Sequence, residues 1–181
     1  MKNRIILFLS LMALFAPITA NAQNELTVYE GTAENSRVPA YIYYFGDFTR
    51  SQFVIPAEDL ADMHGTDISS IKFYTFNYED EIPYTTESTA DVYLMEINYT
   101  TMNGFEPKAN GTIVYQGLLD FVTEGNGGSL TINFNSPYTY QGGNLLIGIE
   151  NTTDDDYEEI YFHGQTVSGA SWAGYIARSE E

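Results

Sequence analysis

Leu130-Thr131-Ile132-Asn133-Phe134-Asn135 alternates apolar and polar side chains without a break. Successive side chains of a strand point to opposite faces, so Leu130, Ile132 and Phe134 share one face and Thr131 and Asn133 the other. A one-residue slip would exchange the two faces, so the pattern specifies register as well as element. Working outward, Leu145-Leu146-Ile147-Gly148-Ile149 is a continuous apolar run, and Asp91 to Ile97 is apolar at both parities. Both patterns fit strands buried on two sides. Further strand-like runs are Leu26 to Glu30, Val38 to Phe45, Gln52 to Ile55, Ile68 to Phe76, Thr112 to Leu118, Glu159 to His163 and Trp172 to Ile176. Asn103-Gly104, Asn110-Gly111, Gly125-Asn126-Gly127-Gly128 and Gly142-Gly143-Asn144 separate them with the positive φ that tight connections need.

One segment reads as helical, Pro56 to Met63. Pro56 suits a first turn, Glu58 and Asp59 favour the positive helix end, and Gly65 stands where a helix stops. About ten short strands with one helical turn near residues 56–63 define an all-β fold, expected as a two-sheet antiparallel β-sandwich of jelly-roll type.

The ends place the chain. Lys2 and Arg4 precede the apolar run Ile5 to Phe15, then Pro17 and Ala20-Asn21-Ala22. That order is a cleavable secretory signal over residues 1–22. The run is shorter than the roughly 20 residues a permanent span needs, and no later segment could cross a membrane. No Cys is present to carry a lipid. The exported part, 23–181, has the length of one domain, and apolar packing must hold it together without disulfides. The 15 Tyr and 11 Phe of the chain supply that packing and suit half-buried β surfaces.

The full chain carries 7 basic against 25 acidic residues. Losing Lys2 and Arg4 with the signal leaves 5 against 25, a formal charge of −20. Such a surface repels nucleic-acid phosphates and anionic headgroups, so neither is an expected partner. Its apolar content is too high for disorder.

Catalysis finds little footing. Nucleophilic chemistry needs Cys, or Ser or Thr beside a positioned base. Cys is absent, and the two histidines, His64 and His163, each sit beside a glycine at an expected helix end or turn. A carboxylate pair for glycoside hydrolysis would arise by chance among so many acids, and the single Trp and few Arg do not outline a sugar cleft. Binding residues are easier to nominate. In Tyr41-Ile42-Tyr43-Tyr44-Phe45, an extended chain puts Tyr41, Tyr43 and Phe45 on one face. Exposed Tyr faces stack on sugar rings and anchor protein partners, whereas a buried face would be ordinary core; Trp172 has the same two readings. Asp154, Asp155, Asp156 and Glu158 crowd one loop. Carboxylates there suit calcium, although the spaced pattern of an EF-hand is missing and a solvated hairpin tip is the simpler account.

Several stretches resemble a β-sandwich module common at the start of secreted and surface proteins of Bacteroidetes-type bacteria. They are residues 25–32 (Glu-Leu-Thr-Val-Tyr-Glu-Gly-Thr), 53–60 (Phe-Val-Ile-Pro-Ala-Glu-Asp-Leu), 136–146 (Ser-Pro-Tyr-Thr-Tyr-Gln-Gly-Gly-Asn-Leu-Leu) and 162–164 (Phe-His-Gly). The resemblance implies an adhesin-like jelly roll and brings no catalytic residue. Relatives are usually followed by another strand and further domains. This chain stops at Arg178-Ser179-Glu180-Glu181, so the domain reads as a trimmed module, a shortened product or a complete small protein. The expected function is a secreted or cell-surface module that binds extracellular protein or glycan without catalysis and requires no cofactor. Alternatives are a structural spacer of a larger surface protein and, third, a glycan-processing enzyme.

Overall fold

The computed structural model describes residues 25–36, 38–40, 49–76, 85–124, 127–152, 160–165 and 173–176. Nine strands lie among them: β1 (Ala33–Asn35), β2 (Arg50–Ile55), β3 (Asp67–Phe76), β4 (Thr85–Ile97), β5 (Thr112–Glu124), β6 (Gly127–Thr139), β7 (Asn144–Asn151), β8 (Phe162–Gly164) and β9 (Ala173–Ile176). All pair antiparallel, in the order β1-β8-β3-β6-β5-β4-β7-β2-β9.

The sheet curls over its own core. β5 serves both halves, since Thr112 to Leu118 pairs with β4 and Phe121 to Glu124 pairs with β6. Phe53 of β2 meets Phe73 of β3 edge to face, with centroids 6.0 Å apart, although four strands separate them in the ladder. One apolar cluster draws Val92 and Leu94 from β4, Ile147 and Ile149 from β7, and Leu130, Ile132 and Phe162 from the other half. Leu130 and Ile132 are 0% and 2% exposed, Phe134 packs against the cluster, and Thr131 and Asn133 face solvent. The alternation at residues 130–135 therefore has the register its sequence requires.

Several expectations are corrected. Leu26 to Glu30 is not a strand, because Tyr29 takes φ 64°, a left-handed conformation incompatible with an extended chain. Its phenol donates instead to Asp59 Oδ2 at 2.7 Å, and pairing starts later, at β1. Val38 to Ala40 is not strand, and the remainder of that run lies outside the described residues. The helical segment forms, but as a 3₁₀ helix over Ala57–Met63 with one buried anchor, Leu60. Three of the expected turns are described, and they divide: Gly104 (φ 112°) and Gly142 (φ 103°) take positive φ, whereas Gly111 has φ −99°. Gly111 serves close approach, since a Cβ there would sit 3.0 Å from Tyr93 Cδ2. His163 belongs to β8 and stacks on Phe76 at 3.7 Å, so it is not a turn residue. Pro137 sits inside β6, where the register with β3 shifts between Ile68 and Ser70, and the bulge excuses its missing N–H.

Candidate functional site

The parity of β4 makes the site. Even-numbered Ala90, Val92 and Leu94 enter the main core, so odd-numbered Asp91, Tyr93 and Met95 reach the opposite face and are buried there too. Residues of β2 and β7 fall in register with them. Arg50, Glu150 and Asp91 form one row, Gln52, Gly148 and Tyr93 the next, and Val54, Leu146 and Met95 a third. The connection between β4 and β5, residues 98–111, lies over this face. Met102 is buried there with Val54, Tyr93, Met95 and Leu146, and Lys108–Asn110 makes a short 3₁₀ turn.

Polar groups fasten the cover. Gln52 Nε2 donates to Tyr93 Oη and to the Glu106 carbonyl, both at 2.6 Å, and its Oε1 accepts from the Glu106 N–H at 2.9 Å. Lys108 Nζ lies 2.7 Å from Asp91 Oδ2 and 3.6 Å from Glu150, while Gln116 Nε2 donates to Asp91 Oδ1 at 2.8 Å. Burial alone would raise the Asp91 carboxyl, but these two donors and the Lys108 charge outweigh it and hold the carboxyl below its ordinary value. Burial opposes charge on Lys108 as well, yet Asp91 and Glu150 keep the ammonium above its usual range. Arg50 adds a contact from its guanidinium to the Phe105 ring, 4.8 Å from the centroid.

Beside the fastened cover runs an open groove of about 530 Å³, lined by Met95, Ile97 and Tyr99 with Glu96, Asn98, Glu106 and Asn110. Its two carboxylates are committed. Glu96 accepts the backbone N–H groups of Gln141 at 2.7 Å and Gly143 at 2.6 Å, which holds the turn after β6. Glu106 accepts the Tyr99 phenol, and that hydrogen bond, with burial and the Glu106 charge, pushes the phenol up to about 12. The groove thus offers apolar floor, amides and fixed acceptors.

The nominated residues Tyr41, Tyr43, Phe45 and Trp172, and the acids Asp154, Asp155, Asp156 and Glu158, all lie outside the described residues. Among the described residues no group of three or more His, Asp or Glu is arranged to hold a metal ion, and no helix is long and apolar enough to cross a membrane. His64 caps the 3₁₀ helix at the surface against Gly142. Sequence reasoning passed over Asp91, Lys108, Gln52 and Glu106. A signal was present: Asp91 heads an apolar run, and Lys108 is one of only seven basic residues in the chain. Buried acids need partners, and bases here are few.

No family model, no curated protein and no solved structure matches the chain. Fold and groove define an antiparallel all-β protein with a covered second face.

Proposed function

We propose that the protein is an exported, non-catalytic module that binds extracellular protein or glycan, either secreted or held at the outer cell surface. The observation that carries this is the state of the groove's carboxylates. Glu96 accepts backbone N–H groups through both carboxylate oxygens and Glu106 accepts the Tyr99 phenol, so both are held in place by the fold, which suits a rigid binding surface. The charged, apolar, Ala-x-Ala order of residues 1–22 supports export, and the negative balance argues against nucleic acid as partner.

The finer fold proposed is a two-layer sandwich of jelly-roll type, in line with the adhesin-like module of Bacteroidetes-type proteins. The Phe53–Phe73 contact between distant strands supports it. Tyr41, Tyr43, Phe45 and Trp172 are proposed ligand contacts, and Asp154, Asp155, Asp156 and Glu158 are where calcium would bind, although the module needs no cofactor. Probing the exported chain against glycan and extracellular-protein arrays, with reducing-sugar release followed in parallel, tests the function. Retention without turnover is expected. Release of reducing ends overturns the non-catalytic assignment, and retention on neither array favours a spacer.

A further inference from the structure

We propose that the solvent face of β3 and β6, with its margin on β8, is a platform for a neutral glycan chain. The proposal rests on the binding function above and names a ligand class and a second surface for it. β3 turns Ile71 and Phe73 toward the core cluster, so Lys72, Tyr74 and Phe76 take the other face. Tyr74 is 48% exposed, a high value for an aromatic in mid-strand. Lys72 Nζ lies 5.0 Å from the centroid of its ring. Phe76 stacks on His163 of β8 with centroids 3.7 Å apart and an interplanar angle of 28°. Across the ladder Lys72 faces Thr131, and Asn133 follows two residues along, both exposed.

The face thus sets a half-exposed aromatic ring, with Lys72 over one side, beside a stacked pair, the Thr131 hydroxyl and the Asn133 amide. Alternate residues repeat every 6.6–6.8 Å or so along a strand, and strands lie about 4.8 Å apart. An exposed strand face of that kind does not enclose a small molecule, but it can follow an extended one. Sugar rings present apolar C–H faces for stacking and equatorial hydroxyls for hydrogen bonds, and those are the two kinds of group offered. A stable protein interface buries roughly 800 Å² per partner around desolvated aromatic or Arg anchors. One half-exposed Tyr and a half-buried Phe–His pair fall short of that. The formal charge of −20 on the exported part repels uronate and sulfate groups, which leaves neutral chains.

Affinity electrophoresis of the exported chain through native gels containing a soluble β-glucan, xyloglucan or galactomannan tests this. Retardation by at least one polysaccharide is expected. Tyr74→Ala should weaken it about tenfold or more with an unchanged melting temperature, and Tyr74→Phe should keep it. Retardation that survives Tyr74→Ala but is lost in Tyr43→Ala or Trp172→Ala overturns the platform and leaves the binding function standing. Free passage through every neutral polysaccharide overturns the platform, and the array result for protein ligands then decides the function separately.

Discussion

Gly148→Ala puts the covered face to a direct test. Gly148 sits in β7 between Gln52 of β2 and Tyr93 of β4. An added Cβ would fall inside 3.0 Å of Cζ, Cε2 and Oη of Tyr93, a separation real Cβ atoms essentially never show. Its 2.5 Å approach to Oη is 0.9 Å short of ordinary contact, which begins at 3.4 Å. The ring has nowhere to retreat: it is 0% exposed, Gln52 holds its hydroxyl, and Gly111 approaches its Cδ2 edge. Overpacking of this kind costs about 1–3 kcal/mol, occasionally more. Removing a strand glycine returns about 0.5–1 kcal/mol of chain entropy, so the clash is measured against a favourable background. With no slack around the ring the overpacking cost falls at the upper end of its range, so a net loss of about 2 kcal/mol is expected in a urea melt with unchanged m-value. Tyr93→Leu clears the space but loses the Gln52 contact. The double variant should therefore be at least about 1 kcal/mol more stable than the two single losses predict. A Gly148→Ala protein within about 0.5 kcal/mol of wild type, or strict additivity, would refute the packing described for this face.

Three further outcomes are expected. Leu130→Ala should cost about 2–5 kcal/mol and Asn133→Ala less than about 0.5 kcal/mol in the same assay, because only the first lies in the core. Lys108→Ala should cost about 1–3 kcal/mol near neutral pH by leaving Asp91 and Glu150 facing each other unneutralised. The folded Asp91 carboxyl lies below its ordinary 3.8, so its share of stability is present above that value and lost as pH falls through the folded one. Lys108 is raised, so its share is present below its ordinary 10.5 and lost as pH climbs through the folded value. The variant should accordingly show a flatter pH–stability profile at both ends, checked by melts across pH. Calcium held by the Asp154–Glu158 acids should raise the melting temperature in millimolar calcium beyond a salt control of equal ionic strength, and Asp155→Asn with Asp156→Asn should remove that difference.

Periodicity made much of the fold legible. The alternation at Leu130 to Asn135, the two-faced run at Asp91 to Ile97 and the continuous run at Leu145 to Ile149 each became the strand their pattern demanded. It failed at Leu26 to Glu30, where strand-forming side chains lost to a left-handed Tyr29 held by Asp59, a partner 30 residues away. The 3₁₀ turn at Lys108–Asn110 was invisible because its anchor, Asp91, belongs to another strand.

Composition and order along the chain, on their own, determined an acidic all-β chain whose first residues run charged, apolar, then small, because charge, hydrophobic period and turn glycines are local properties. Tertiary structure alone decided which second face would be covered, and by what. Only pairing of β2, β4 and β7 in register brings Arg50, Glu150 and Asp91 abreast, and Gln52 and Tyr93 to either side of Gly148. The physical reason is that one buried acid can be satisfied by any of several distant donors, and its sequence neighbours do not say which; the ladder register does.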